Sequence, residues 1–232
     1  MVALVTGSSK GIGKELIIEL AKREYDVVIT YNNSVEEANS LKDYIINNYK
    51  VNAYSIKCDI SKEEDIINLK DFIINKYNKI DILINNAALS IDNSIDDKTK
   101  EEFMKVLEVN VVGTFLVTKY LYKYMDNGII VNISSTDSED TYNSLNIDYS
   151  SSKAGINILT KTFALTFNNI KVLGVMPNWT NTESIREMNQ DFLKEELNRI
   201  GQDELEDPSI VAKNIINLAF DKNIKSGEIR RV

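Results

Sequence analysis

The sequence predicts an α/β fold, a doubly wound parallel sheet with helices on both faces. Three observations lead there. Short apolar runs such as Val2–Val5, Val27–Tyr31 and Ile129–Ile133 have the continuous hydrophobicity of strands buried on both faces. Helix-patterned segments alternate with them, and that alternation builds parallel sheets. A glycine-rich turn joins the first strand to the first helix. With 232 residues, 43% of them apolar and 27% charged, one domain spanning residues 1–232 is expected.

The strands and helices follow in order. Val2–Val5 leads into Thr6-Gly7-Ser8-Ser9-Lys10-Gly11-Ile12-Gly13 and a helix over Lys14–Glu24. Strand, glycine turn and helix form the layout that seats a dinucleotide pyrophosphate at a helix N-terminus. Glycine permits the tight turn and the close approach of backbone to phosphate. Val27–Tyr31 is the second strand. No acid follows it in Tyr31-Asn32-Asn33-Ser34, whereas an acidic residue there would hold an NAD ribose. With Lys10 in reach of a 2′-phosphate, this favours NADP over NAD. Val35–Tyr49 is helical and Val51–Lys57 a strand. Ser61 with Glu64 reads as a capping box opening a helix to Tyr77. Ile80–Ile84 is the fourth strand, ending in Asn85-Asn86-Ala87-Ala88, small residues suited to a crevice at the topological switch point.

A loop over Leu89–Asp97 precedes a helical stretch over Thr99–Tyr124, with Asn110 amid apolar residues. A buried amide must be hydrogen-bonded, so Asn110 is either a satisfied core amide or a functional polar contact. Ile129–Ile133 is the fifth strand and ends at Ser134-Ser135. Thr136–Asp148 is polar and acidic. A helix to Phe167, a sixth strand over Ile170–Val175, and Pro177-Asn178-Trp179-Thr180-Asn181-Thr182 follow. Glu183–Ile200 is charged and helix-prone, a mobile lid over the ligand extending to about 206. Asp207-Pro208 opens a helix to Phe220, and Gly227–Val232 is a last strand.

Composition excludes several functions. There is no histidine, which removes Ser-His-Asp and Cys-His catalysis. It also removes zinc sites with His ligands, and the lone Cys58 cannot replace them, so no metal is expected. Proton chemistry falls to Tyr, Lys, Asp or Glu. A net charge of −8 argues against nucleic acid as a partner. No apolar run is long enough for a membrane span and no secretory leader is visible, so with one cysteine a cytoplasmic protein is expected. Within these limits Tyr149-Ser150-Ser151-Ser152-Lys153 stands out. Residues four apart share a helix face. A lysine charge beside the phenol would lower the tyrosine pKa and make it an acid/base for a carbonyl or alcohol oxygen.

These motifs, taken in order, resemble the short-chain dehydrogenase/reductase family along nearly the whole chain. The match comprises Thr6-Gly7-x3-Gly11-Ile12-Gly13, Asp59, Asn85-Asn86-Ala87, Asn110, Ser135, Tyr149-x3-Lys153 and Pro177 with Thr182. The branch it most resembles holds the 3-oxoacyl-[acyl-carrier-protein] reductases and related carbonyl reductases. The resemblance implies a seven-stranded Rossmann sheet and an NAD(P)-dependent oxidoreductase acting on a carbonyl or secondary alcohol. NADP(H) would be preferred and NAD(H) possible. Gly7, Ser9, Lys10, Gly11, Ile12 and Gly13 would surround the cofactor phosphates, Tyr31 and Asn32 would stand at the cofactor-selecting strand end, and Asp59 and Ile60 would touch the adenine. Asn86 and Ala87, with Ala88 where the family usually has glycine, would line the adenine-side ribose. Tyr149 would donate the proton, Lys153 would lower its pKa and bind the nicotinamide ribose, Ser135 would hold the substrate oxygen, and Asn110 would hold a water. Pro177, Asn178, Trp179 and Thr182 would line the nicotinamide. A homo-oligomer, tetramer or dimer, is implied too. The chain stops at Val232, short of the family's usual glycine-rich tail. Within that frame the alternatives are a 3-oxoacyl-carrier-protein reductase, which the acidic 136–148 loop disfavours because the carrier is itself acidic, and a non-catalytic NADP sensor.

Overall fold

The computed structural model describes residues 1–232. Strands β1 (Val2–Val5), β2 (Asp26–Tyr31), β3 (Ala53–Lys57), β4 (Ile82–Asn85), β5 (Ile129–Ile133), β6 (Lys171–Met176) and β7 (Ile229–Arg231) form one parallel sheet in the order β3-β2-β1-β4-β5-β6-β7. The helices are α1 (Gly11–Lys22), α2 (Val35–Asn48), α3 (Glu63–Tyr77), α4 (Lys100–Leu107), α5 (Thr114–Leu121), α6 (Ile147–Thr166), α7 (Glu183–Arg186), α8 (Gln190–Ile200) and α9 (Pro208–Phe220). Side chains alternate across the sheet, so each strand feeds two cores. Ala3 and Val5 pack with residues of α1, α2 and α9, while Val2 and Leu4 pack with residues of α3, α5 and α6. The order reverses between β1 and β4, which places a crevice at their carboxyl ends.

Three sequence expectations change. Ser61 does not cap α3: its N–H and hydroxyl both donate to Asp59 Oδ1, at 3.1 and 2.7 Å, and the helix starts at Glu63. The capping box instead opens α4, where Thr99 and Glu102 bond reciprocally. The stretch 99–124 is not one α-helix: a π-helical turn over Glu108–Gly113 interrupts it. A Cβ on Gly113 would stand 2.8 Å from the Ile60 carbonyl oxygen, so this turn needs glycine to lie against the end of β3. The segment after Thr182 splits into α7 and α8 because Asn189 Oδ1 accepts the N–H groups of Asp191 and Phe192, both at 3.0 Å, and starts a new helix.

The loop after β4 is pinned to the start of α6 by a buried ion pair. Lys98 Nζ lies 3.0 Å from Asp148 Oδ2, with side-chain exposures of 3% and 0%. Lys98 also donates to the Ile91 carbonyl, and Asp148 Oδ1 accepts the Tyr149 N–H at 2.9 Å. Removing one member strands a buried charge, so Lys98→Met should cost about 3–5 kcal/mol in denaturant unfolding. The double variant Lys98→Met/Asp148→Leu should recover much of that loss. A single-variant loss below about 1 kcal/mol would show that the pair does not hold the loop.

Candidate functional site

A cavity of about 440 Å³ opens at the carboxyl ends of β4, β5 and β6. Strand ends place its residues: Asn86 and Ala88 follow β4, Ser134 and Ser135 follow β5, and Pro177, Asn178, Trp179 and Thr182 follow β6. Helix α6 brings in Tyr149 and Lys153, and Ile185 and Met188 come from the α7 region. Ser135, Tyr149 and Lys153 thus share one wall. The Ser134 hydroxyl is spent on the Lys153 carbonyl at 3.0 Å, whereas the Ser135 hydroxyl stands beside the Tyr149 phenol. Lys153 is 3% exposed; its Nζ donates to the Ile133 carbonyl at 2.8 Å and lies 5.3 Å from the centre of the Tyr149 ring.

Ile12 of α1 lines the cavity as well, and the other sequence-predicted residues lie along the same sheet edge outside it. Tyr31 and Asn32 end β2, and Asp59 and Ile60 follow β3. Burial of Asp59 would raise its carboxyl pKa, but hydrogen bonds from Ser61, aided by Lys62 and Asn32, hold it below the ordinary value. Ile60 is buried in the core under Gly113. The glycine turn is built by its neighbours. Thr6 Oγ1 accepts the N–H of Asn86 at 2.9 Å and of Ala87 at 3.0 Å, and Asn86 Nδ2 donates to the Thr6 and Gly7 carbonyls, each at 2.9 Å. Gly7 and Gly11 have φ of 59° and 55°, and a Cβ on Gly13 would meet the Gly7 carbonyl oxygen at 2.6 Å. Lys10, at the N-cap of α1, makes no side-chain cap. Ser9 is nearly buried within the turn.

Two features of this turn were not legible in sequence. Glu183 Oε2 accepts the Gly11 N–H at 3.1 Å, so one of the chain's own carboxylates sits where the turn receives an anion. Lys10 Nζ pairs with Glu37 at 2.8 Å in a half-exposed ion pair, an interaction worth little in water. The departures at Ala88 and Asn178 carry no strain. Neither has a positive φ, so neither position demands the backbone freedom of glycine. The Asn110 side chain is hydrogen-bonded within the protein on both its oxygen and its nitrogen. Its Nδ2 donates to the Leu89 carbonyl and Ser152 Oγ, both at 2.9 Å, its Oδ1 accepts the Leu89 N–H at 2.7 Å, and it does not line the cavity.

In the chain by itself, the surroundings of the tyrosine run against the expected lowering of its pKa. Burial and the nearby Asp137 carboxylate push the Tyr149 phenol up, and the Ser135 hydroxyl pulls the other way without prevailing. Burial pushes the Lys153 ammonium down to about 8, against the Asp137 carboxylate. Unfolded, the lysine keeps its ordinary value of 10.5. Between these values the unfolded chain binds more protons, so this group makes stability rise with pH. Lys153→Met should remove that rise. The wild-type minus variant difference in unfolding free energy, followed from pH 7 to 10, should increase with pH, and a flat difference would show that burial does not tax the charge.

Residues 1–192 match the family model described as short chain dehydrogenase. Among curated relatives, Glucose 1-dehydrogenase 2 of Bacillus subtilis (strain 168) is 34% identical over 201 residues, covering 84% of this chain and 76% of that protein. The 3-oxoacyl-[acyl-carrier-protein] reductase of Aquifex aeolicus (strain VF5) is 33% identical over 225 residues, covering 95% and 90%. Among solved structures, a dehydrogenase/reductase from Sinorhizobium meliloti 1021 superposes with a TM-score of 0.93 at 26% identity, covering 100% of this chain and 92% of that one. A short chain dehydrogenase from Burkholderia cenocepacia J2315 in complex with NADP gives 0.91 at 25% identity, covering 100% and 95%. With its sheet order, its glycine turn and its shared Ser135, Tyr149 and Lys153 wall, the chain belongs to the short-chain dehydrogenase family and is an oxidoreductase of that family.

Proposed function

We propose that the chain interconverts a ketone and a secondary alcohol with NADP(H) as preferred cofactor, Tyr149 serving as acid/base. The observation that carries this reading is the convergence of Ser135, Tyr149 and Lys153 on one cavity at the switch-point side of the sheet. The residues fit a dinucleotide. The glycine turn opens α1 beside the switch point of the sheet, and the Gly11 N–H in the first turn of that helix already attracts a carboxylate. A bound nicotinamide supplies or receives the hydride. Ser135 orients the substrate oxygen, and Tyr149 hands it a proton. A phenol pushed up in pKa holds its proton near neutral pH, and bound cofactor and substrate must lower that pKa for the proton to pass to a carbonyl oxygen. Lys153 sets the potential beneath the ring, and Asn110 acts at one remove by tying Leu89 to Ser152 of α6.

The NADP preference is supported by the acid-free end of β2 and by the NADP complex of the Burkholderia relative. Lys10 must leave Glu37 to take part, and NAD(H) is the competing cofactor. The adenine would rest between Asp59 and Ile60, with Tyr31 and Asn32 beside its ribose. Residues 183–206 would act as a lid, anchored by Arg199, which donates to the Thr141 and Tyr142 carbonyls at 3.0 and 2.9 Å. Exposed Met104, Val112 and Phe115 on the α4–α5 stretch, with Ile158 and Leu165 on α6, suit a homo-oligomer. The single, buried Cys58 suits the cytoplasm. A second reading, reduction of a carrier-bound 3-oxoacyl group, gains from one observation: Glu139 and Asp140 pair with Arg231 and Asp148 with Lys98, so the acidic loop repels less than its composition suggests.

Tyr149→Phe should lower turnover of a ketone by about 10²–10⁴-fold while leaving the Kd for NADPH nearly unchanged. Unchanged turnover would remove the tyrosine from the mechanism. Fluorescence titration should show tighter binding of NADPH than of NADH, and the reverse order would replace the cofactor. Glu183→Gln should bind the preferred cofactor about two- to five-fold more tightly, since a competing anion leaves the helix N-terminus. Equal or weaker binding would show that Glu183 does not compete.

A further inference from the structure

The 136–148 segment carries four acids, and the structure treats them differently. Asp148 is buried against Lys98, and Glu139 and Asp140 meet Arg231 at the surface. Asp137 is 7% exposed and forms no salt bridge. Its Oδ1 accepts the Thr141 hydroxyl at 2.7 Å, and its Oδ2 accepts Asn146 Nδ2 at a long 3.3 Å. A carboxylate offers about four acceptor positions. Half of these are unfilled by protein, in a group whose burial is costly unless donors reach it.

The unfilled side is not sealed. Asp137 lines the cavity with Ser135, Tyr149 and Lys153. Its own N–H donates to Ser135 Oγ at 3.1 Å, so its backbone is fixed against the hydroxyl assigned to the reacting oxygen. Its field reaches both Tyr149 and Lys153. Asp137 thus lines the same cavity as the two hydroxyls, two residues along from Ser135, and a substituent next to the reacting carbon is the part of a small substrate that could meet its carboxylate. A donor there replaces whatever water the carboxylate would otherwise hold, and a methyl group cannot.

We propose that Asp137 selects the substrate: its carboxylate accepts a hydrogen bond from a hydroxyl on the carbon next to the reacting one, so the preferred substrates are small α-hydroxy ketones and 1,2-diols. This rests on the oxidoreductase reading above and deepens it. An ammonium offers the same donor chemistry, but the buried Lys153 cation in the same cavity opposes a second positive charge. A hydroxyl also accepts, and Asn143 and Ser90 line the same space. An apolar acyl chain would leave the carboxylate without a donor, the mismatch that polar sites reject most strongly.

Three alcohols of one shape test this: 1,2-propanediol, 2-butanol and 1-amino-2-propanol. They carry hydroxyl, methyl and ammonium on the carbon next to the carbinol. In each oxidation the carbinol C–H bond breaks, its hydride passes to the oxidised nicotinamide, the O–H proton passes to the Tyr149 phenolate, and a C=O bond forms. Wild-type kcat/KM should favour the diol over 2-butanol by at least about tenfold. Asp137→Leu should abolish that ratio, and Asp137→Asn, which keeps an acceptor oxygen, should retain part of it. Trp179, the only tryptophan, lines the cavity, so its fluorescence gives a readout apart from turnover. The diol should bind more weakly to the Leu variant while cofactor affinity stays the same, which also shows the variant folded. Preference for the amine would assign the position to a cation and overturn the hydroxyl. Equal rates for diol and 2-butanol, a ratio unchanged in the Leu variant, or turnover of acetoacetyl thioesters alone would overturn the inference and leave the oxidoreductase reading standing. No turnover of any alcohol, ketone or thioester would overturn both.

Discussion

The site depends on one close contact, between the turn leaving β1 and the end of β4. Neighbouring parallel strands set their carboxyl ends side by side, and here the two ends are joined by side-chain hydrogen bonds as well. Thr6 receives two N–H groups from across the gap, and the Asn86 amide returns two bonds to the turn's carbonyls. The approach is so close that a Cβ on Gly7 would stand 2.8 Å from the Ala87 Cα. Glycine at this position is therefore a packing requirement before it is a phosphate-binding one. The Gly7 and Ser8 N–H groups are bonded to Thr30, and the N–H that meets an anionic group lies further along the turn, at Gly11, where Glu183 sits.

This contact explains why much of the site could be read from sequence. Strand ends fix position, and Asn86, Ser135 and Pro177 each come within two residues of the end of a short apolar run. Tyr149 and Lys153 follow because four residues make one helical step. What escaped was everything decided by a partner distant in sequence. Asp137 and Asp148 look like Glu139 and Asp140 in a polar loop, yet two are buried and two are exposed. The difference lies in Lys98, fifty positions away, and in Thr141 and Asn146, whose side chains turn inward. The Ser61 cap failed for a local reason: Asp59 offered the serine hydroxyl a better acceptor than the helix offered a donor. The π-turn escaped because Asn110 and Gly113 answer to Leu89 and Ile60, not to helical periodicity.

The buried charges reveal a division of labour. Lys98 and Asp148 neutralise each other and hold the loop after β4 to the helix that carries the tyrosine. Lys153 and Asp137 share a cavity without forming a salt bridge. The lysine is held off its ordinary pKa by burial, and the aspartate is likewise pushed up by burial despite bonds from Thr141 and Asn146. Partly compensated charges of this kind lower stability, and they persist where a reaction uses their field.

That field runs opposite to the simplest account of a tyrosine activated by a lysine. A lone lysine beside the phenol would favour the phenolate. Here Lys153 donates to a backbone carbonyl from beneath the ring, while Asp137 adds negative potential near the hydroxyl. The protein alone therefore keeps Tyr149 as an acid, and loss of its proton must be helped by what enters the cavity. A positively charged nicotinamide ring would supply such help, and a reduced, neutral one would not. The resting protonation of the tyrosine thus matches carbonyl reduction, while the charge arriving with the oxidised cofactor favours the phenolate that alcohol oxidation needs. On the proposed reading, direction and protonation would be coupled through the charge of the nicotinamide, against the negative potential that Asp137 adds beside the phenol.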